Sequence, residues 1–306
     1  MIVLCSVLLA ACSAAVEQRQ PQPMTAGPYV YVGSADTGMT AALTAAPVNR
    51  FVLAFLLAGE TPCTPTWNSQ RAVDDPALLA EIDRVRAAGS AVTVATGGAS
   101  GTYLENTCGS AAELAAAYRT ALSATGADRL DLDIEAEIPV DMVADALAAV
   151  HADGIGITTT VEVLDAQRGL TREATTMVRA LAARGVDVIV NAMIMNFPEG
   201  QDWQASLLQA AESVTGQIAQ IWPGDGRDTA YRRLGLTFMA GRNDTGPVTT
   251  LHDARALREY AGRNAIGFLG FWSLGRDTGR CAGAATAQNH CSGVAQQRYA
   301  FTAALV

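Results

Sequence analysis

From residue 28 onward, short apolar runs alternate with longer stretches in which Ala, Leu and Arg recur at helical spacing. The runs at 28–33, 50–58, 91–97, 129–135, 154–163, 186–196, 233–240 and 265–273 predict strands. The amphipathic stretches at 76–88, 110–124, 139–152, 171–184, 201–221 and 251–262 predict helices, with a shorter one near 38–47. Asp75-Pro76 and Ser110 give start signals, and Gly89, Gly154 and Gly185 give stops. Eight strand–helix alternations predict an α/β fold, a single-domain (β/α)8 TIM barrel over 28–306. In such barrels the reacting groups sit at the C-terminal ends of the strands.

The fourth run departs from the apolar pattern. Over Asp128 to Glu135, the acids Asp131, Asp133 and Glu135 alternate with Leu130, Leu132 and Ile134. Strand alternation puts the three acids on one face, about 7 Å apart, where they repel one another and resist burial. Such a row points to function more than to stability. Strand ends add Gly97 and Gly98, the stretch Met193 to Phe197, the stretch Met239 to Asp244, and Trp272. Acids with an indole platform suit an uncharged sugar.

The 306 residues carry a net charge of −9, which argues against nucleic acid or an anionic membrane surface as partner. Three histidines, His151, His252 and His290, and cysteines without CxxC spacing argue against a zinc site, and no cofactor is implied. Residues 1–15 begin with an apolar run, Met1 to Ala11, that resembles an export signal too short to span a bilayer. Leu9-Ala10-Ala11-Cys12 resembles a lipobox with Cys12 as the lipidation candidate; cleavage near Ala14-Ala15 is the alternative. Residues 16–27 read as a polar tether. Extracellular or lipid-anchored placement is therefore expected, and with it two disulfides. Cys281 and Cys291 enclose a short loop, and Cys63 and Cys108 both follow predicted strands at one barrel end.

Asp128-x-x-Asp131-x-Asp133-x-Glu135 resembles the DxxDxDxE signature of glycoside hydrolase family 18, the chitinases and their relatives. Thr96-Gly97-Gly98-Ala99-Ser100-Gly101 is similar to the family's SxGG element. Met193-Ile194-Met195-Asn196-Phe197 resembles the Met-Thr-Met-Asp-Tyr-Gly element of a bacterial and archaeal subgroup. The stretch from Thr237 through Met239 to Asn243 and Asp244 is similar to its Met-x-Gly-x-Asn-Asp element. Gly270-Phe271-Trp272-Ser273-Leu274-Gly275-Arg276-Asp277 resembles its Trp-Ser-Leu-Asn-Arg-Asp, and the ends at Cys291 and Tyr299 also fit. Two departures stand out: Asn196-Phe197 replaces Asp-Tyr, and Gly275 replaces Asn.

The resemblance implies substrate-assisted hydrolysis of β-1,4-linked N-acetylglucosamine polymers with retention, an exception to the two-carboxylate scheme. Glu135 would protonate the leaving oxygen, and the sugar's acetamide carbonyl would attack the anomeric carbon. Asp133 would hold the acetamide N–H, and Asp131 would share a proton with Asp133. Trp272 would floor the site, with Asn196, Phe197, Gly98, Asn243 and Asp244 as further substrate contacts. Asn196 could hydrogen-bond the acetamide without supplying charge. Asn243 and Asp244 also fit a turn, and Met193 and Met195 fit inner packing. Asp128 reads as a structural partner at the strand start, and Glu162 has no counterpart. A monomer acting on soluble oligomers or accessible chain ends is expected, endo or exo. Alternatives are a lectin-like binder of chitin, motivated by Asn196 and Phe197, and a hydrolase of another N-acetylglucosamine glycan.

Overall fold

The computed structural model describes residues 24–33, 37–198 and 200–306. The apolar run with Cys12 and most of the tether lie outside the described residues. Eight parallel strands form the barrel: β1 (Thr25–Tyr31), β2 (Arg50–Ala58), β3 (Ala91–Gly97), β4 (Arg129–Asp133), β5 (Gly156–Asp165), β6 (Val188–Met193), β7 (Leu234–Met239) and β8 (Phe268–Trp272). Each pairs with the next, and β1 pairs with β8, which closes the ring. Closure leaves the eight-stranded ring itself without a free edge.

Helices α1 (Met39–Ala45), α2 (Pro76–Ala87), α3 (Ala111–Thr125), α4 (Val140–Ala152), α5 (Arg172–Ala183), α6 (Trp203–Ile221), α7 (Arg227–Arg233) and α8 (Leu251–Asn264) run outside, followed by α9 (Ala300–Ala304). Their starts follow local chemistry. Asp75 caps Leu78 ahead of Pro76, Ser110 caps Glu113, and Thr250 with Asp253 forms a capping box. Leu130 and Leu132 are fully buried in the layer between barrel and helices, with Leu114, Val143 and Leu147. Burying each such leucine contributes roughly 1.5–3 kcal/mol, which offsets part of the cost of the acids on the opposite face.

Several boundaries differ from those read in the sequence. β1 starts at Thr25, so the end of the expected tether joins the barrel; a Cβ on Gly27 would lie 1.7 Å from the Arg50 carbonyl oxygen. β4 stops at Asp133, because the Glu135 N–H leaves the ladder and donates to the Tyr103 hydroxyl at 3.2 Å. β6 stops at Met193, ahead of Asn196, whose φ of 58° turns the chain. β5 runs from Gly156 rather than 154. A short antiparallel hairpin, Pro65–Trp67 with Arg71–Ala72, lies on β2, and α7 is an additional helix.

At the N-terminal end of the barrel, Arg50 forks onto Asp128 with bonds of 2.6 and 3.1 Å, as a structural partner should. At the opposite end both disulfides form. Cys63–Cys108 joins the loops after β2 and β3 with Cα atoms 4.6 Å apart, and Cys281–Cys291 closes the segment after β8 at 5.9 Å. Their separations in sequence are 45 and 10 residues. Chain-entropy reasoning gives about 4 kcal/mol for the longer link and about 2.7 kcal/mol for the shorter. Thermal melts of Cys63→Ala/Cys108→Ala and Cys281→Ala/Cys291→Ala should therefore show the larger loss for the first pair; the reverse order would contradict an origin in loop closure.

Candidate active site

Asp131 and Asp133 point into the barrel from β4 and are 1% and 4% exposed. A carboxylate so deep needs donors, and the neighbouring strands provide them. Tyr29 Oη donates to Asp131 Oδ2 at 2.8 Å, and Thr160 Oγ1 donates to Asp131 Oδ1 at 2.7 Å. The Asn191 amide donates to these two hydroxyl oxygens at 3.1 and 2.8 Å. Its Nδ2 also lies 2.8 Å from Thr237 Oγ1, and its Oδ1 accepts from that hydroxyl at 3.0 Å. β1, β4, β5, β6 and β7 thus each contribute one residue to a buried polar network.

Burial pushes the Asp131 carboxyl up to about 7, opposed by its two hydroxyl donors and the Arg129 charge. Asp133 is driven well above the usual carboxylate range by burial first, then by the charges of Asp131, Glu135 and Glu162. Its Oδ1 is buried and finds no hydrogen-bond partner among the described residues. A buried polar oxygen in this state is open to a hydrogen-bond partner from the groove.

Glu135 stands two residues beyond Asp133, at the mouth. The Tyr103 hydroxyl that accepts its N–H donates to the Gly98 carbonyl at 2.5 Å, tying the acid's backbone to the end of β3. Although the residue as a whole is exposed, its carboxyl is partly desolvated in the groove. That desolvation, then the charges of Glu162 and Asp244, raises it to about 7.

The groove above these acids encloses about 1000 Å³. Trp272, half-buried at the end of β8, stacks on Phe55 with ring centres 5.5 Å apart and planes 16° apart. Met193, Met195 and Met239 pack against the indole, so the floor is apolar while the acids occupy one wall. The peptides Ala54–Phe55 and Trp272–Ser273 are both cis.

The remaining expected site residues divide into two groups. Asn196 and Asp244 line the groove and hold each other: Asn196 Nδ2 donates to Asp244 Oδ2 at 2.9 Å, and the Asp244 N–H donates to Asn196 Oδ1 at 2.8 Å. Asn243 lies beneath them, 1% exposed, accepting the Asn196 N–H at 3.0 Å and donating to Gly241 and Thr249. It is a clip between two loops, in agreement with the turn reading rather than with substrate contact. Gly98 is also buried below the groove: a Cβ there would meet the Phe55 ring at 2.5 Å, so the residue seats the aromatic instead of touching sugar. Phe197 borders the groove, but its ring is 2% exposed and packs on Trp203 with centres 4.8 Å apart. Arg276 and Asp277 are structural. Arg276 donates to the Ala240 and Arg242 carbonyls, and Asp277 accepts the N–H groups of Phe301 and Thr302.

The sequence reading missed Tyr29, Phe55, Tyr103, Thr160, Asn191 and Thr237. A lone asparagine in Val188-Ile189-Val190-Asn191-Ala192-Met193 was the one available signal, because an amide buried in an apolar strand needs partners.

No protein-family model matches the chain. It is 28% identical over 255 residues, 75% of its length, to a probable bifunctional chitinase/lysozyme of Escherichia coli (strain K12). It is also 28% identical over 256 residues to Endochitinase 11 of Metarhizium anisopliae. The chain spans 28% and 48% of the lengths of these two proteins. The catalytic domain of a hyperthermophilic chitinase from Pyrococcus furiosus superposes with a TM-score of 0.85 at 29% identity, covering 93% of this chain and 95% of that one. Catalytic-site mutants of that enzyme's active domain have been crystallised with chito-oligosaccharides. A fungal endo-β-N-acetylglucosaminidase of glycosyl hydrolase family 18 shares the fold, with a TM-score of 0.63 at 14% identity. The acid row, the closed barrel that presents it and these likenesses make the chain similar to chitinase catalytic domains, with the fold seen in glycoside hydrolase family 18.

Proposed function

We propose that this chain hydrolyses β-1,4-linked N-acetylglucosamine polymers, chitin and its oligosaccharides, by substrate-assisted retaining catalysis. The observation that carries this reading is the row of Asp131, Asp133 and Glu135, one buried with a donor on each oxygen, one buried with an orphaned oxygen, one at the mouth. Each position suits one task. Glu135, with its carboxyl raised to about 7, is protonated in mildly acidic solution and can give that proton to the leaving oxygen. The Asp133 Oδ1 lacks a partner and suits an acetamide N–H. Held there, the acetamide carbonyl attacks the anomeric carbon as the glycosidic bond breaks, giving an oxazolinium ion. Glu135, now ionised, takes a proton from the water that opens this ring, and configuration is retained.

Asp131 cannot reach the substrate from beneath Asp133. Its part is to exchange charge with Asp133, since two buried neighbouring carboxylates do not ionise independently. Trp272 provides the apolar face on which a distorted sugar ring rests. The relatives named as chitinases, and the chito-oligosaccharide complexes of the Pyrococcus furiosus enzyme, support this choice of substrate. Export is part of the proposal, with Cys12 as the candidate for lipid attachment; two disulfides fit an oxidising compartment.

Removing the acid should cost roughly 10²–10⁴-fold in rate. Product release from N-acetylglucosamine pentamer is the measurement: cleavage by the wild type that falls by this factor in Glu135→Gln is the expected result. Tight pentamer binding without cleavage by the wild type would make the protein a lectin-like binder instead.

The raised carboxyls also predict a pH dependence of stability. In the unfolded chain Asp131 and Glu135 titrate near 3.8 and 4.5, whereas in the fold both sit at about 7. The folded state therefore holds protons that the unfolded state releases. The resulting stabilisation is full below pH 4 and is lost as pH rises through 7. Melting temperature should fall between pH 5 and pH 8, and the slope should be shallower in Asp131→Asn; identical slopes would remove Asp131 as its source.

A further inference from the structure

We propose that Glu162 is a positioning residue whose negative charge holds the proton on Glu135 and so sets the upper pH limit of turnover. The inference rests on Glu135 being the general acid. Its basis is the register of two strands. Asp131 pairs with Thr158 and Asp133 with Thr160 across β4 and β5. Thr160 reaches Asp131 from the inner face, so Glu162, two residues on, occupies that same face. The ladder with β4 ends at Asp133 and Thr160, and Glu162, two residues further along β5, stands at the mouth where Glu135 emerges. Both residues line the groove. On its other side Glu162 pairs with Met193 of β6, which carries no charge to compensate it.

Among the described residues, the ionisable groups around Glu135 include Tyr31, which lines the groove. Asp131 and Asp133 lie below it on its own strand, and Tyr29 joins them from β1. Tyr103 holds its backbone from the turn after β3, with Glu105 buried behind. Asp244 comes from the loop after β7 and His290 from the segment closed by the Cys281–Cys291 disulfide. Among the described residues that line the groove there is no arginine. Asp244 is the other acid at the mouth, but its carboxylate accepts from the Asn196 amide and is drawn to the charge of Arg276. Glu162 is thus the acid best placed to act on Glu135, and after desolvation its charge is the largest influence raising that carboxyl. The apolar floor of Met193, Met195, Met239 and Trp272 strengthens the repulsion by excluding water from one side.

Glu162→Gln keeps the shape and removes the charge. The alkaline limb of kcat/KM for the pentamer should move down by about 0.5–1 pH unit, with a three- to tenfold loss at pH 8 that exceeds the loss at pH 5. The shift should shrink in 1 M NaCl, where charges at the mouth are screened beyond about 3 Å. An equal loss at every pH with an unmoved limb would overturn the proposal, because that is the mark of a residue that only shapes the wall. An independent readout is the side-chain ¹³C carboxyl signal that disappears in Glu135→Gln, followed through a pH titration. It should titrate lower in Glu162→Gln than in the wild type; an unchanged midpoint would also overturn the proposal. Should the wild type fail to cleave the pentamer, the proposed reaction falls, and the titration still decides whether Glu162 governs the Glu135 proton.

Discussion

One buried carboxylate organises this molecule. Asp131 lies in the middle of the barrel, 1% exposed, where an unsupported charge would cost several kcal/mol. It is tolerated because Tyr29 and Thr160 give it two hydrogen bonds and Asn191 orients both hydroxyls. Those partners come from three other strands, so the network exists only when the barrel has closed with the correct register. A slip of one residue in β5 would turn Thr160 toward the helices and leave Asp131 short of a donor. The demand that makes the interior costly therefore also specifies the fold.

From this anchor the chemistry is graded along a single strand. Asp131 has a donor on each oxygen, Asp133 retains one orphaned oxygen, and Glu135 emerges at the mouth with its backbone held by Tyr103. Three acids of similar intrinsic strength acquire three environments within five residues, because each is two residues nearer to water than the last. The opposite face of β4 bears Leu130 and Leu132, whose burial under the helices keeps the strand from moving outward to solvate its acids. Site and core are the two faces of one β-strand.

The barrel was legible in the sequence because its strands are continuous apolar runs separated by amphipathic helices, and parallel strands covered on both sides must look like that. The acid row was legible because period two is visible without knowing what lies beside it. Tyr29, Phe55, Thr160, Asn191 and Thr237 were not, since each is a single residue in its own strand and gains meaning only when closure brings it against another. Asn243 and Gly98 show the converse difficulty. Their positions near strand ends were readable, but whether they face the groove or support it depends on loops after different strands, here the Asn196–Asp244 clip and the Phe55 ring above Gly98. Glu162 has no role in the sequence alone because the pairing of β4 with β5, not the spacing along the chain, brings it to the mouth beside the acid row.

The fastening of Asp277 has a consequence for the order in which the molecule is made. Its carboxylate accepts the N–H groups of Phe301 and Thr302 in α9, and it lies five residues after Trp272. The floor of the groove is thus anchored by a stretch that is made after all eight barrel strands. Among the eight barrel strands the one carrying Tyr29 is made first, and it needs β8 beside it to complete the ring. Until β8 has been made, the ring lacks the strand that joins β7 to β1, and the site is open at that seam. The reacting centre is therefore complete only after β8 and the segment that holds Asp277 have been made, later than the strands that carry its acids.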